Sequence, residues 1–169
     1  QELMLRISSE EDKMIPDKLI ETQWYKRVDI LKNIQAYNLY MTTDFTTTGS
    51  KGSDLSGIAV WAVNHNQDCF MLDLCLRKQE MEQQYNEVFR FIDLYTPDNK
   101  TFEVGVETDG QQKAHILALK DRMRQRSNYF TIARQKGSEP VSEGIQSRLE
   151  SGSKHWRIRM ALPLFQNRK

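Results

Sequence analysis

One stretch limits what this chain can fold into more than any other: Tyr40-Met41-Thr42-Thr43-Asp44-Phe45-Thr46-Thr47-Thr48-Gly49-Ser50-Lys51-Gly52-Ser53-Asp54. An apolar run ends in one acid. A turn of small residues follows, then a second acid, and then a new apolar run from Leu55 to Val63. The pattern reads as strand, turn, strand, with a carboxylate at the end of the first strand. A second acid-bearing strand lies further on, in Thr101-Phe102-Glu103-Val104-Gly105-Val106-Glu107-Thr108-Asp109-Gly110.

The rest of the chain gives the order of elements. Residues 1–35 carry many charges and few turn signals, with apolar residues at Leu19, Ile20, Trp24, Val28, Ile30 and Leu31. They read as a lead-in with one or more short helices. Ile34 to Thr43 is predicted as a first strand and Leu55 to Val63 as a second. Asn64-His65-Asn66-Gln67-Asp68 has hairpin-turn chemistry, so Cys69 to Leu76 should return antiparallel to the second strand. Met81, Tyr85, Val88, Phe89 and Ile92 recur at helical spacing within Lys78 to Leu94. Pro97-Asp98-Asn99 is a turn, and Phe102 to Glu107 is a fourth strand. Gln112 to Gln125 reads as a second helix with Ile116, Leu117 and Leu119 on its apolar side. Tyr129 to Ala133 is a fifth strand and Gly137 to Pro140 a loop. The remainder reads as helical through Trp156, Ile158, Met160 and Leu162, and breaks near Pro163.

Three strands, a helix, a strand, a helix and a strand make an α/β domain with a mixed sheet flanked by helices. That order matches the ribonuclease H-like fold. The length of 169 residues suits one domain with a real core. The hydrophobic share of 38% and charged share of 28% point away from a disordered chain. No apolar run reaches the roughly 20 residues of a membrane span. Cys69 and Cys75, the two cysteines, are too few for a disulfide scaffold and fit a reducing compartment. Their even spacing puts them on one face of a strand, as small buried hydrophobes.

Charge is unevenly spread. Residues 1–112 hold 11 Lys/Arg against 19 Asp/Glu, whereas residues 113–169 hold 13 against 4. The basic residues cluster in Lys113 to Lys136 and in Lys154 to Lys169. Such a split suits a polyanion partner, although basic helix faces are often only solvated. No Walker-type glycine loop is present, so ATP hydrolysis is not expected of these residues. No Ser/His/Asp or Cys/His pattern supports covalent catalysis. His65 and His115 read as surface residues. For Asp73 an exposed or paired strand position is expected, and Glu103 merely opens a strand.

Two carboxylates at the ends of core strands are what a divalent-metal site on a sheet requires, because hard cations take oxygen ligands held by rigid elements. The residues around them carry a family resemblance. Thr43-Asp44-Phe45-Thr46 with Gly49 and Asp54-Leu55-Ser56 resembles the first nuclease motif of the large terminase subunits of tailed phages. Val104-Gly105-Val106-Glu107-Thr108-Asp109-Gly110 resembles their second. Lys154-His155-Trp156-Arg157-Ile158-Arg159-Met160-Ala161-Leu162 resembles their Lys-x-x-Arg-Ile segment, and Gln1-Glu2-Leu3 looks like the end of an ATPase part.

The resemblance implies a division into residues 1–35, a linker from an N-terminal ATPase domain of the same polypeptide, and residues 36–169, a nuclease domain truncated at its C-terminus. It implies a metal-dependent endonuclease that cuts concatemeric viral DNA during genome packaging. Its setting would be the host cytoplasm, with double-stranded DNA, a small terminase subunit and a portal as partners. Two Mg²⁺ or Mn²⁺ ions about 3.5–4 Å apart are expected. Asp44 would bridge them, Glu107 would hold one, and Asp54 would bind metal directly or through water. A third acidic ligand of the family would lie beyond Lys169. Lys154, Arg157 and Arg159, with Arg122, Arg124 and Arg126, are the expected phosphate contacts. Two other readings stand beside this one: a DNA-binding or docking module that kept the fold without the site, and another nuclease of the fold such as a resolvase or integrase.

Overall fold

The structure, a computed structural model, describes residues 17–46, 54–96, 102–107, 113–134 and 143–145. The chain divides into two units, residues 1–26 with 148–169, and residues 27–147. In the first, the described residues form helix α1 (Asp17–Glu21). The second contains α2 (Arg27–Lys32), a 3₁₀ turn (Ile34–Ala36), β1 (Asn38–Asp44), β2 (Ser56–Val63), β3 (Cys69–Arg77), α3 (Met81–Tyr95), β4 (Glu103–Val106), α4 (Lys113–Arg126) and β5 (Thr131–Ile132). The strand expected from Ile34 begins four residues later. Ala36 N–H donates to Asn33 O at 2.9 Å and Tyr37 N–H to Ile34 O at 3.2 Å, which closes a tight turn before the chain extends.

The five strands form one mixed sheet in the order β3-β2-β1-β4-β5. β1 and β2 are antiparallel, as are β2 and β3, whereas β1 with β4 and β4 with β5 are parallel. The β2–β3 hairpin turns as its residues dictate. Asn64 Oδ1 accepts from the N–H groups of Asn66 and Asp68, both at 2.9 Å, and Gln67 takes the left-handed conformation with φ of 67°.

Both helical crossovers, β3–α3–β4 and β4–α4–β5, join parallel strands and run in the same direction across the sheet. Right-handed connection therefore puts α3 and α4 on the same face. Met41, Ile58, Val60, Val104 and Val106 are buried on that face, beneath Val88, Phe89, Ile92, Leu119 and Met123. Each such side chain removed from water contributes about 1.5–3 kcal/mol. The rings of Phe89 and Phe130 meet edge-on at 5.6 Å. Leu117, expected among the apolar side of α4, is exposed. The buried row is Ile116, Leu119 and Met123, together with His115.

One register shift corrects the reading of the cysteines. Val60 pairs with Asp73 but Trp61 pairs with Met71, so Leu72 is an extra residue in β3. A bulge of one residue reverses the alternation beyond it. Cys75 is buried and Cys69 exposed, on opposite faces rather than one. A second departure concerns residues 143–145, expected to be helical. They run as isolated bridges instead, Arg134 with Glu143 and Gly144, and Glu107 with Ile145. The loop expected at Gly137–Pro140 and the helix expected through Trp156 lie outside the described residues.

The bulge makes a chemical difference between the two thiols. Burial pushes the Cys75 thiol up, and a thiol must ionise to react. Maleimide labelling of the native chain should therefore modify one thiol at least about tenfold faster than the other. Cys69→Ser should remove the fast phase, and unfolding should expose the slow one. Equal rates in the native state would contradict this register.

Candidate functional site

The parallel register brings the two sequence-predicted acids together. Tyr40, Met41, Thr42 and Thr43 pair with Glu103, Val104, Gly105 and Val106. The next step along both strands reaches Asp44 and Glu107. Both follow the last pair of this ladder at the C-terminal ends of adjacent strands, and continued alternation assigns both to the face away from α3 and α4. On that face Gly57 is the register partner of Asp44. A methyl group added at Gly57 would sit 3.9 Å from Asp44 Cβ and 3.8 Å from a Leu76 methyl, in ordinary van der Waals contact with both. Asp44 is exposed and Glu107 half-buried. Ile145 pairs beside Glu107, its N–H donating to Val106 O at 2.8 Å. Its side chain lies over Gly105, where an added methyl would stand 3.0 Å from Ile145 Cδ1.

Asp54 is exposed and lies two residues ahead of β2. Because β2 runs antiparallel to β1, Asp54 is at the same end of the sheet. Among the described residues, however, no three His, Cys, Asp or Glu side chains gather as a metal group. Asp44 and Glu107 are thus two hard oxygen donors at the ends of adjacent strands, with Asp54 at the same end of the sheet. Mg²⁺ commonly binds through one or two carboxylates and keeps several waters, so the pair fits the chemistry of such an ion. Asp109 lies outside the described residues.

The strand that carries Asp44 is held on three sides. Thr43 Oγ1 donates to Gly105 O at 3.1 Å across to β4. Beyond Asp44, Phe45 is buried against α3 and α4, its ring 5.6 Å from that of Tyr85 and 4.9 Å from that of His115. One residue later, the side chain of Gln84 on α3 engages the backbone of Thr46. Its Oε1 accepts from Thr46 N–H at 3.1 Å and its Nε2 donates to Thr46 O at 2.9 Å. Sequence reasoning passed over Gln84. The signal was a glutamine inside the apolar stripe of α3, one position before Tyr85 and four before Val88.

His115 is buried, not a surface residue as expected. The hydroxyl of Tyr85 lies 2.7 Å from its Nδ1, which satisfies a polar group that burial would otherwise penalise. Burial holds the imidazole below its ordinary range and pushes the Tyr85 phenol up, so the bond joins two neutral groups. The guanidinium of Arg122 lies over the Tyr85 ring, 4.5 Å from its centroid. His65 is exposed, as expected. Asp73 is paired, accepting from Tyr95 Oη at 3.2 Å and from Arg27 at 3.4 Å.

The basic residues of α4 divide by face. Arg122 pairs with Glu82, and Arg126 lies over the Phe89 ring and bonds Asn86. Both brace α4 against α3. Arg124 points elsewhere: its side chain is 69% exposed, against 20% for Arg122, and its ion pair with Asp121 spans 3.5 Å on the same helix. A pair of that kind contributes little in water, so Arg124 stays available to another anion. Lys154, Arg157 and Arg159 lie outside the described residues.

No protein-family model matches this chain, and no curated protein matches it significantly. Among the described residues, no helix is long and apolar enough to cross a membrane.

His115 gives the fold a pH dependence with a definite sign. Its folded value lies below its unfolded one, so below about pH 6.5 the unfolded chain binds a proton that the folded chain refuses. Stability should fall as the pH is lowered from 7 to 5.5. In His115→Gln, which keeps a polar partner for Tyr85 without a titrating ring, the fall should be smaller. Thermal unfolding across that window reads both profiles, and parallel curves would contradict the assignment.

Proposed function

We propose that this chain is a ribonuclease H-like nuclease domain, and that it cuts duplex DNA with a divalent metal bound at Asp44 and Glu107. The single observation that supports the reading is the register of β1 and β4, whose last pair, Thr43 with Val106, directly precedes Asp44 and Glu107 on the two adjacent strands. The strand order β3-β2-β1-β4-β5, with β2 alone reversed, agrees with that fold. The resemblance to the large terminase subunits of tailed phages supplies the biological setting, cleavage of concatemeric viral DNA during packaging.

Mg²⁺ or Mn²⁺ supplies the activation of water and the charge that stabilises the leaving oxygen when it is bound. The chain's own residues hold and orient. Asp44, exposed at the end of a central strand, would be a metal ligand. Glu107 anchors one side, braced by the bridge to Ile145. Asp54, at the same end of the sheet, would bind metal directly or through water. Arg124 and the basic residues Lys154, Arg157 and Arg159 are the proposed phosphate contacts. Contacts of that kind carry no sequence code and weaken steeply with salt. Arg122 and Arg126 already have partners on α3 and are the weaker candidates.

A second reading is favoured by one observation: among the described residues no third acid joins the pair. On that reading the chain binds DNA without cutting it. Plasmid nicking in Mn²⁺, with and without a chelator, separates the two. The nuclease reading expects nicked plasmid that disappears with chelator, and expects Asp44→Ala to abolish nicking with the circular dichroism spectrum unchanged. An Asp44→Ala chain that nicks at the parental rate would rule out this site.

A further inference from the structure

We propose that Gln84 is the positioning residue of the acidic end of the sheet, acting on Asp44 through the backbone of Thr46. The inference rests on the nuclease reading given above. Gln84 is fully buried in the first turn of α3, where an apolar side chain would serve packing better. Its amide is fully used. Oε1 accepts from Thr46 N–H, while Nε2 donates to Thr46 O and, at 2.8 Å, to Gln79 O. A further contact of 3.2 Å reaches Thr46 Oγ1.

A primary amide that both donates to and accepts from one residue does what a neighbouring strand does. Gln84 thus prolongs the pairing of β1 past its last ladder residue, Asp44, at the point where the chain leaves the sheet. The same corner is tied to the other acid-bearing segment. Ser56, buried at the start of β2 two residues after Asp54, donates from Oγ to Arg77 O at 2.8 Å at the end of β3. Gln79, which accepts from Gln84, follows Arg77 by two residues. The start of α3 is itself fixed, with Glu80 N–H donating to Gln83 Oε1 at 3.0 Å. One buried amide therefore joins the exit of β1, the turn after β3 and the first turn of α3. A ligand carboxylate needs such support, because metal affinity depends on how firmly its backbone and rotamer are held.

Gln84→Met keeps the volume and removes the hydrogen bonds. It is to be compared with the parental 169-residue chain and with Ile92→Val, a core change at the far end of α3. Two quantities are read: amide exchange at Thr46, and the Mn²⁺ dependence of plasmid nicking. In Gln84→Met, exchange at Thr46 should rise at least about tenfold. The Mn²⁺ concentration for half-maximal nicking should rise about tenfold or more. The rate at saturating Mn²⁺ should return to the parental value, which separates a weakened metal site from a damaged fold. Ile92→Val should move neither quantity. If Gln84→Met does not fold, Gln84→Asn, one methylene too short to reach both groups of Thr46, should show the same Mn²⁺ shift. A folded variant with parental Mn²⁺ dependence overturns the proposal. If the parent itself does not nick, the nuclease reading fails on its own account, and unchanged protection at Thr46 in Gln84→Met would overturn the clamp as well.

Discussion

The parallel pairing of β1 with β4 decides which strand ends share one edge of the sheet. β1 is the central strand, antiparallel to β2 on one side and parallel to β4 on the other. Parallel neighbours end at the same edge of a sheet, so Asp44 and Glu107, each one step beyond the last pair Thr43–Val106, lie at one edge. A slip of one residue in this pairing would send one carboxylate to the opposite face. The buried bond from Thr43 Oγ1 to Gly105 O helps hold the register. Burial of Met41 and Thr43 on one face leaves Thr42 and Asp44 to the other.

The crossovers add a second constraint. With α3 and α4 on the same face, they cover the apolar side of the sheet and leave the acidic side clear of both helices. The helices then organise the acidic end from behind. Phe45, Tyr85 and His115 fill the space under the exit of β1, and Arg122 covers Tyr85. Gln84 fastens Thr46 from the same helix turn. The ladder of Glu82 with Arg122 and Asn86 with Arg126, each pair four residues apart on its helix, holds α4 along α3. These cationic side chains read in sequence as a binding face; two of the three instead hold helices together.

Much of this architecture was legible in the residues. Strands β1, β2 and β3 and helix α3 follow from runs of period 2 and 3.6, and the hairpin at Asn64 from turn chemistry that needs no partner beyond its own loop. The acids stood out because apolar runs stop at them. What escaped reading depended on contacts far along the chain. Nothing in Cys69 to Leu76 marks Leu72 as an extra residue, since Leu72, Leu74, Cys75 and Leu76 are all apolar and any alternation fits. His115 looked like a surface residue because its partner, Tyr85, lies 30 positions earlier. Leu117 is apolar yet exposed because the buried stripe of α4 runs through His115 and Met123, residue types that do not announce a core face. Arg122 and Arg126 read as phosphate contacts for the same reason: their partners are on another helix.

On the proposed function, Asp44 and Glu107 form one metal-binding pair. Paramagnetic broadening of backbone amide signals during an Mn²⁺ titration reads the position of the ion directly. The account predicts that signals of Asp44, Gly57 and Glu107 broaden first, and that Asp44→Asn removes the effect at all three. Broadening centred elsewhere, or spread evenly over the exposed carboxylates, would contradict it.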